Sequence, residues 1–338
     1  MLKTEADSID YLLLTRVNDE LLSNNKGGLM KVTIIGAAGT LGSCAAFNLI
    51  NKKLADEILM IDPFENALKA HWLDLVTVGA SLGVVVRKGS YEDMGGTDIV
   101  VMTAGAPSGA IKSRSELLPG SMPIIKTTTE KINQYCPNAI VIMETNPVDP
   151  LNYAMYLMSP DKYRRRYVGY SLNDSIRFRM WAAEALGVSA TRIQGTVIGE
   201  HGHSQVMLFS TLRLDGKPVK LDEETKKRIR EQPPIMLNAF ESLVPRRTAG
   251  WTSAYGTAIL VESIKNNTRA VIPCNAVLEG EYGLRGISMT VPVVLGKDGI
   301  EDIQVLQLTP EEKEGLEHSA QTLEPHMRFV EDNLGIKD

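Results

Sequence analysis

No stretch of this 338-residue chain stays apolar over the roughly 18 residues that a bilayer-crossing helix requires, which argues against a membrane-spanning class. Cysteine is scarce. Cys44, Cys136 and Cys274 are odd in number, widely spaced and free of any CxxC or Cys/His pairing. That speaks against a disulfide framework and a zinc site, and predicts a reduced, cytoplasmic compartment. Basic charge is not in excess either. A net charge of −5 with 23% charged residues fits a soluble globular protein and disfavours nucleic acid or an anionic membrane as main partner. Internal repeats and low-complexity tracts are missing. Residues 1–29 carry Glu5, Asp7, Asp10, Asp19 and Glu20, which disfavours a mitochondrial presequence, and their apolar run at 11–14 is too short for a signal peptide. This extension reads as a helical arm over 8–22 and a tether over 23–28.

What is present is organised around KVTIIGAAGTLGSC at residues 31–44. Val32, Ile34 and Ile35 form a short strand-like run, Gly36, Gly39 and Gly42 follow at three-residue intervals, and 44–50 reads as a helix. A strand that turns into a helix N-terminus presents unpaired N–H groups and the positive end of the helix dipole, which suits phosphate. Gly36 permits the turn, Gly39 lets backbone approach a pyrophosphate, and Gly42 lets helix pack on strand. The spacing alone is equally that of a glycine-rich turn with no ligand. A second strand, LADEILMID, ends in Asp62, about 20 residues past Gly42. An acid there can accept both ribose hydroxyls of an adenosine and repel a 2′-phosphate, which favours NAD over NADP. Asp62 also suits an ordinary cap for a helix over 66–79.

Beyond Asp62, helices and strands alternate, which implies a mostly parallel, doubly wound α/β sheet. A helix over 66–79 and strands over 83–88 and 98–102 lead to TAGAP at 103–107. The polar loop 108–121 contains Lys112 and Arg114, and a strand over 139–144 ends in TNPVD at 145–149. The expected organisation is an extension over 1–29, a Rossmann-type nucleotide domain over 30–150 and an α+β substrate domain over 151–330. In the second half, Asp174 and Arg177 share one face of a helix over 171–186. A strand over 193–198 ends in GEHGHS, a hairpin turns at Asp215-Gly216, and helical material from 222 is expected to break at Pro233-Pro234 and near Pro245. Thr309 as cap, Pro310 at the first position, and Glu311 with Glu312 mark the start of the final helix.

The ordered set GAAGTLG, TAGAP, Ser113-Arg114, TNPVDPL, SLNDSIRFR, IGEHGHS, WTSAYG and VPVVLGKDGI resembles the signatures of the NAD-dependent lactate/malate dehydrogenase family, from about residue 30 to 323. The resemblance implies hydride transfer between NAD and a small 2-hydroxy acid, coupled to movement of one hydroxyl proton. His201 then matches the catalytic histidine, whose ordinary pKa near neutrality suits taking and returning that proton. Asp174 matches its carboxylate partner. Arg177 matches the arginine that clamps the substrate carboxylate through a planar bidentate fork. Arg114 matches the loop arginine that polarises the carbonyl. Asn146 matches the asparagine that touches substrate and nicotinamide ribose, and Thr252 lies in the pocket-lining stretch. The cofactor set comprises Gly36, Ala38, Gly39, Thr40, Leu41 and Gly42 in the first turn, Asp62, then Thr103, Ala104, Gly105, Ser121, Thr145 and Asn146. No metal ligand set is expected.

Each assignment has a plainer rival: a loop histidine for His201, and a helical surface pair for Asp174 and Arg177. Three departures from the family pattern bear in turn on substrate, cofactor and the surroundings of the catalytic histidine. Ser108 stands where malate enzymes usually carry Arg and lactate enzymes Gln, Ser121 replaces an asparagine, and His203 replaces an acid. Serine cannot neutralise a second carboxylate, but Lys112 in the same loop is available. GAAGTLG and TNPVDPL sit closer to the malate branch of the family, and with Lys112 available the resemblance leans toward malate, with lactate or a bulkier 2-hydroxy acid open. An NAD-dependent glycosidase, or an idle NAD-binding sensor, are the readings from other classes. The resemblance also implies a homodimer or homotetramer.

Overall fold

The computed structural model describes residues 29–106, 114–243 and 249–336. The expected arm over 8–22, Ser108, Lys112 and the break near Pro245 lie outside them. The first half alternates as β1 (Lys31–Ile35), α1 (Thr40–Asn51), β2 (Glu57–Ile61), α2 (Glu65–Leu82), β3 (Val85–Lys88), β4 (Ile99–Met102), α3 (Leu118–Tyr135), β5 (Ile140–Met143), α4 (Val148–Leu157) and β6 (Tyr167–Gly169). The second half runs α5 (Leu172–Leu186), β7 (Ile193–Ile198), β8 (Val206–Leu214), β9 (Lys217–Pro218), α6 (Glu223–Arg230), α7 (Gln232–Leu243), α8 (Gly250–Lys265), β10 (Ala270–Glu279), β11 (Arg285–Gly296), β12 (Gly299–Ile303) and α9 (Pro310–Leu334).

Nine strands form one sheet in the order β12-β11-β10-β6-β5-β4-β1-β2-β3, and β7, β8 and β9 form a second, antiparallel sheet. From β3 to β6 every pairing is parallel. Such strands are covered on both faces, so they read as continuous apolar runs rather than alternating ones. β4 and β5 are IVVM and IVIM, buried throughout. The chain crosses from β3 over to β4 on the far side of β1, so the ends of β1 and β4 diverge around a crevice, the usual ligand position in an open parallel sheet. The same sheet continues past residue 150 through β10, β11 and β12, which pair antiparallel. A smaller apolar cluster around Phe178, Trp181 and Phe209 packs α5 on the second sheet.

Two helix ends show how local chemistry sets boundaries. Thr309 accepts from the Glu312 N–H at 3.3 Å while the Thr309 N–H donates to Glu312 Oε2 at 3.0 Å, so α9 begins at the expected place with a reciprocal cap. The interruption expected at Pro233-Pro234 falls just before the prolines: α6 ends at Arg230 and α7 opens at Gln232, so both prolines sit in its first turn, where missing N–H groups have no helical acceptor to lose. The helix expected to end at residue 79 runs on to Leu82, and Gly83 closes it with a φ of 76°. Among the described residues, no helix is long and apolar enough to cross a membrane.

The β1–α1 turn depends on absent side chains. A Cβ on Gly42 would lie 2.8 Å from Ala37 Cα and 2.9 Å from the Gly36 carbonyl carbon, both backbone atoms that cannot swing aside. Gly42→Ala is therefore expected to lower stability by about 1–3 kcal/mol, the usual range for overpacking. Gly95, around which a Cβ would meet nothing within 4 Å, is the control. Urea midpoints of the two alanine variants check this: equal midpoints would mean that the turn relaxes freely.

Candidate active site

The first wall of the crevice is the glycine turn. Gly36 adopts a φ of 91°, and its N–H donates to the Ile61 carbonyl at 2.9 Å, pinning the turn to the end of β2. A Cβ there would sit 2.6 Å from Ala104 N and 2.7 Å from Thr103 Oγ1, so only glycine lets the ends of β1 and β4 close up. Gly39 is the N-cap of α1 and supplies no side-chain acceptor. The first-turn N–H groups of Thr40, Leu41 and Gly42 therefore have no cap to satisfy them, which is the donor set a pyrophosphate needs. These features fit NAD.

Asp62 stands at the end of β2 with two jobs already visible. Its Oδ2 accepts the Ala38 N–H at 3.0 Å and its Oδ1 accepts the Phe64 N–H at 2.9 Å. A carboxylate has about four lone-pair sites, so these bonds fix its orientation and leave capacity for two ribose hydroxyls. Across the crevice, the Thr145 hydroxyl donates to the Ala104 carbonyl at 2.9 Å, and buried Ser121 accepts the Ala106 N–H at 3.4 Å. The loop expected over 108–121 gives way to helical structure from Arg114 onward, and Ser121 lies in α3 with its short hydroxyl turned to the Ala106 N–H. Asn146 follows Thr145, and its Oδ1 is buried with no hydrogen-bond partner within the protein. Native proteins leave few buried acceptors unpaired, and a bound group would satisfy this one.

On the other side, Asp174 lies in the first turn of α5 and His201 in the loop after β7. His201 Nδ1 and Asp174 Oδ2 are 2.6 Å apart, and both side chains are only 6% exposed. The simplest proton assignment has Nδ1–H donating to the carboxylate, which leaves Nε2 as the nitrogen able to take a proton. Arg177, one turn along α5, places Nη1 3.8 Å from Asp174 Oδ1, so the expected shared face is seen. Gly199, with a φ of 87°, exchanges two backbone hydrogen bonds with Thr290 of β11, and so anchors the histidine loop to the main sheet. Thr252, half-buried at the start of α8, accepts the Tyr170 hydroxyl through its carbonyl at 3.2 Å. His203 is exposed. Arg114 opens a 3₁₀ turn that leads into α3.

Two buried acids escaped the sequence reading. Asp149 accepts the His201 N–H on Oδ2 at 3.1 Å and Oδ1 at 3.3 Å, and also accepts from Asn275 Nδ2. Burial, with the Glu200 and Asp174 carboxylates nearby, holds its carboxyl well above the usual range. Its position inside TNPVD was the available signal. Glu144, at the end of β5, accepts from the Thr257 hydroxyl through Oε1, while Oε2 is buried without a partner. Burial pushes its carboxyl up to about 8, opposed by the Thr257 bond. An acid ending an apolar strand was the signal there.

Fold and crevice together define a nicotinamide-dinucleotide-dependent α/β oxidoreductase. The chain belongs to the lactate/malate dehydrogenase family: residues 30–168 match the model of its NAD-binding domain and residues 172–333 that of its alpha/beta C-terminal domain. It is 33% identical over 299 residues to a malate dehydrogenase of Natronomonas pharaonis, covering 87% of this chain and 97% of the relative. A malate dehydrogenase of Bacillus israeli is 35% identical over 307 residues, covering 89% and 98%. Among solved structures, a Cryptosporidium parvum lactate dehydrogenase complexed with lactic acid and nicotinamide adenine dinucleotide superposes with a TM-score of 0.84 at 30% identity, covering 90% of this chain and 98% of the other. A malate dehydrogenase of the same organism gives 0.84 at 28% identity, covering 90% and 99%.

Glu144 generates a pH prediction. Its folded-state value of about 8 exceeds the ordinary 4.5, so between those limits the folded protein holds a proton that the unfolded chain has released. Stability therefore falls as pH rises through this window. Glu144→Gln removes that titration. The variant should gain on the parent by on the order of a few kcal/mol between pH 4.5 and 8, read from urea unfolding across that range. Parallel pH curves would mean that Glu144 stays ionised.

Proposed function

We propose that the protein interconverts malate and oxaloacetate with NAD, using His201 as the group that takes and returns the hydroxyl proton. The observation that carries this reading is the 2.6 Å contact between His201 and Asp174 in a nearly dry setting. When bound, NAD supplies the acceptor for the hydride that leaves carbon 2. As that carbon loses hydride, its hydroxyl proton passes to His201 Nε2, and the C–O single bond becomes a carbonyl. The imidazolium so formed sits beside the Asp174 carboxylate, which favours it in a low-dielectric pocket. Arg177 is assigned the carbon-1 carboxylate, Asn146 the reacting oxygen and nicotinamide ribose, and Arg114 the charge developing on that oxygen. Gly36, Ala38, Gly39, Thr40, Leu41, Gly42, Asp62, Thr103, Ala104, Gly105, Ser121 and Thr145 form the cofactor side of the site.

Malate is favoured over lactate because the relatives at 33% and 35% identity are malate dehydrogenases and because Lys112 offers a second positive charge. Lactate is the second reading, supported by Ser108, which lacks that charge, and by the likeness to a lactate dehydrogenase with lactic acid bound. The NAD-binding unit is assigned to 30–150 and the substrate unit to 151–330, after an extension over 1–29. A homodimer or homotetramer is supported by an aromatic surface on two packed helices: Phe47 of α1 is 47% exposed, and Trp251 and Tyr255 of α8 are 69% and 51% exposed. The three cysteines are unpaired, in keeping with the cytoplasm.

Two outcomes check the assignment. His201→Asn should lower kcat by about 10²–10⁴-fold, the usual worth of a general base, while the Kd for NADH stays within twofold. Unchanged turnover would remove His201 from the mechanism. Lys112→Met should lower kcat/KM for oxaloacetate about ten- to a hundredfold, as for one partly buried charged hydrogen bond, and leave pyruvate nearly unaltered. Equal losses on both substrates would return Lys112 to the status of a loop residue, and a parent enzyme faster on pyruvate would favour the lactate reading.

A further inference from the structure

Phe64 occupies a position that its own local structure does not explain. It is the N-cap residue of α2, where Ser, Thr, Asp or Asn normally supply a side-chain acceptor, and it makes no cap bond. The residue is 69% exposed, a large apolar side chain held in water three residues beyond the end of the buried strand β2. Its backbone is nonetheless tightly placed. The Asp62 carboxylate accepts the Phe64 N–H at 2.9 Å with one oxygen and the Ala38 N–H at 3.0 Å with the other. One side chain therefore ties the phenyl-bearing residue to the phosphate-type turn. The acid suited to an adenosine ribose and an exposed aromatic face are consecutive parts of one rim.

We propose that Phe64 is the platform on which the adenine ring of NAD stacks. A purine presents a flat π face on either side, and an exposed phenyl ring at the ribose end of the groove matches it without requiring hydrogen-bond readout. Binding would cover the apolar surface that Phe64 now exposes. Asp62 then selects the unphosphorylated ribose, and Phe64 holds the base beyond it. Phe64 takes no part in proton or hydride movement.

The inference rests on NAD binding in the glycine-turn crevice, and three probes separate the two claims. NADH, ADP-ribose and reduced nicotinamide mononucleotide share parts of one molecule, and only the first two carry adenine. Phe64→Ala should weaken NADH and ADP-ribose by the same factor, about five- to a hundredfold, which is the range of base–aromatic stacking. The mononucleotide, titrated by nicotinamide fluorescence, should bind both proteins equally. Phe64→Trp should retain NADH affinity within twofold. Phe64→Leu keeps apolar bulk without a π face, and provides the same comparison if the alanine variant fails to fold. Equal weakening of all three ligands, unchanged NADH affinity in Phe64→Ala and Phe64→Leu, or a change only in sedimentation coefficient would each overturn the proposal. A parent protein that binds none of the three would instead overturn NAD binding itself.

Discussion

The contact between His201 and Asp174 imposes the strongest demand on this fold. An imidazole and a carboxylate are 2.6 Å apart with both side chains almost wholly buried, so neither has bulk water to solvate it. Removing such groups from water is expensive, and mutual attraction offsets it only when geometry is tight and other polar neighbours are satisfied. The surroundings meet that condition. Asp149 receives the His201 N–H, Asn275 donates to Asp149, and Asn152 donates to Asn275 Oδ1 at 3.1 Å. On the opposite flank, the Glu200 N–H donates to Ser319 Oγ at 2.6 Å, and Ser204 donates to Glu200 Oε2 through its N–H at 2.8 Å and its hydroxyl at 2.6 Å. The histidine loop is thereby held by α4, β10 and α9 before any substrate arrives. For the proposed role of His201, such positioning would remove from the reaction step the orientation cost that a mobile base carries.

The cofactor side relies on the reverse strategy. There the fold leaves groups unsatisfied: α1 begins at a glycine without a capping oxygen, and Asn146 keeps a buried acceptor without a partner. Both deficits are tolerable because they border a crevice rather than a sealed core. The crevice thus joins a tightly held His–Asp pair to an under-satisfied rim, and under the proposed function binding energy would be gained where the protein left polar groups open. Asp62 bridges the two habits, since its orientation is fixed by two backbone donors while capacity remains.

Glu144 and Asp149 show what a buried carboxyl does in each setting. Asp149 sits among donors and serves the histidine loop directly. Glu144 lies behind the crevice wall with one oxygen bonded to Thr257 and one orphaned, and burial alone carries its pKa upward. The two acids flank one short link between β5 and α4: Glu144 directly follows β5, and Asp149 lies in the first turn of α4, where it supports the histidine loop.

Several features were determined by the sequence itself, because each depends on residues close together in the chain. The β1–α1 turn is fixed locally by Gly42, whose missing Cβ lets the helix lie against the Gly36 and Ala37 backbone. The start of α9 is fixed by Thr309, Pro310 and Glu312 within one turn. The pairing of Asp174 with Arg177 follows from helical periodicity. The doubly wound sheet follows from apolar strands alternating with helices, since parallel strands need crossovers. Other features were decided only by tertiary structure, because their partners lie far apart in sequence. His201 and Asp174 are 27 residues apart, His201 and Asp149 are 52 apart, and Asn275 and Asp149 are 126 apart. No local periodicity encodes such meetings. They exist because β7, α4, α5 and β10 converge in space, and the charge states of Asp149 and Glu144 depend on how completely that convergence excludes water.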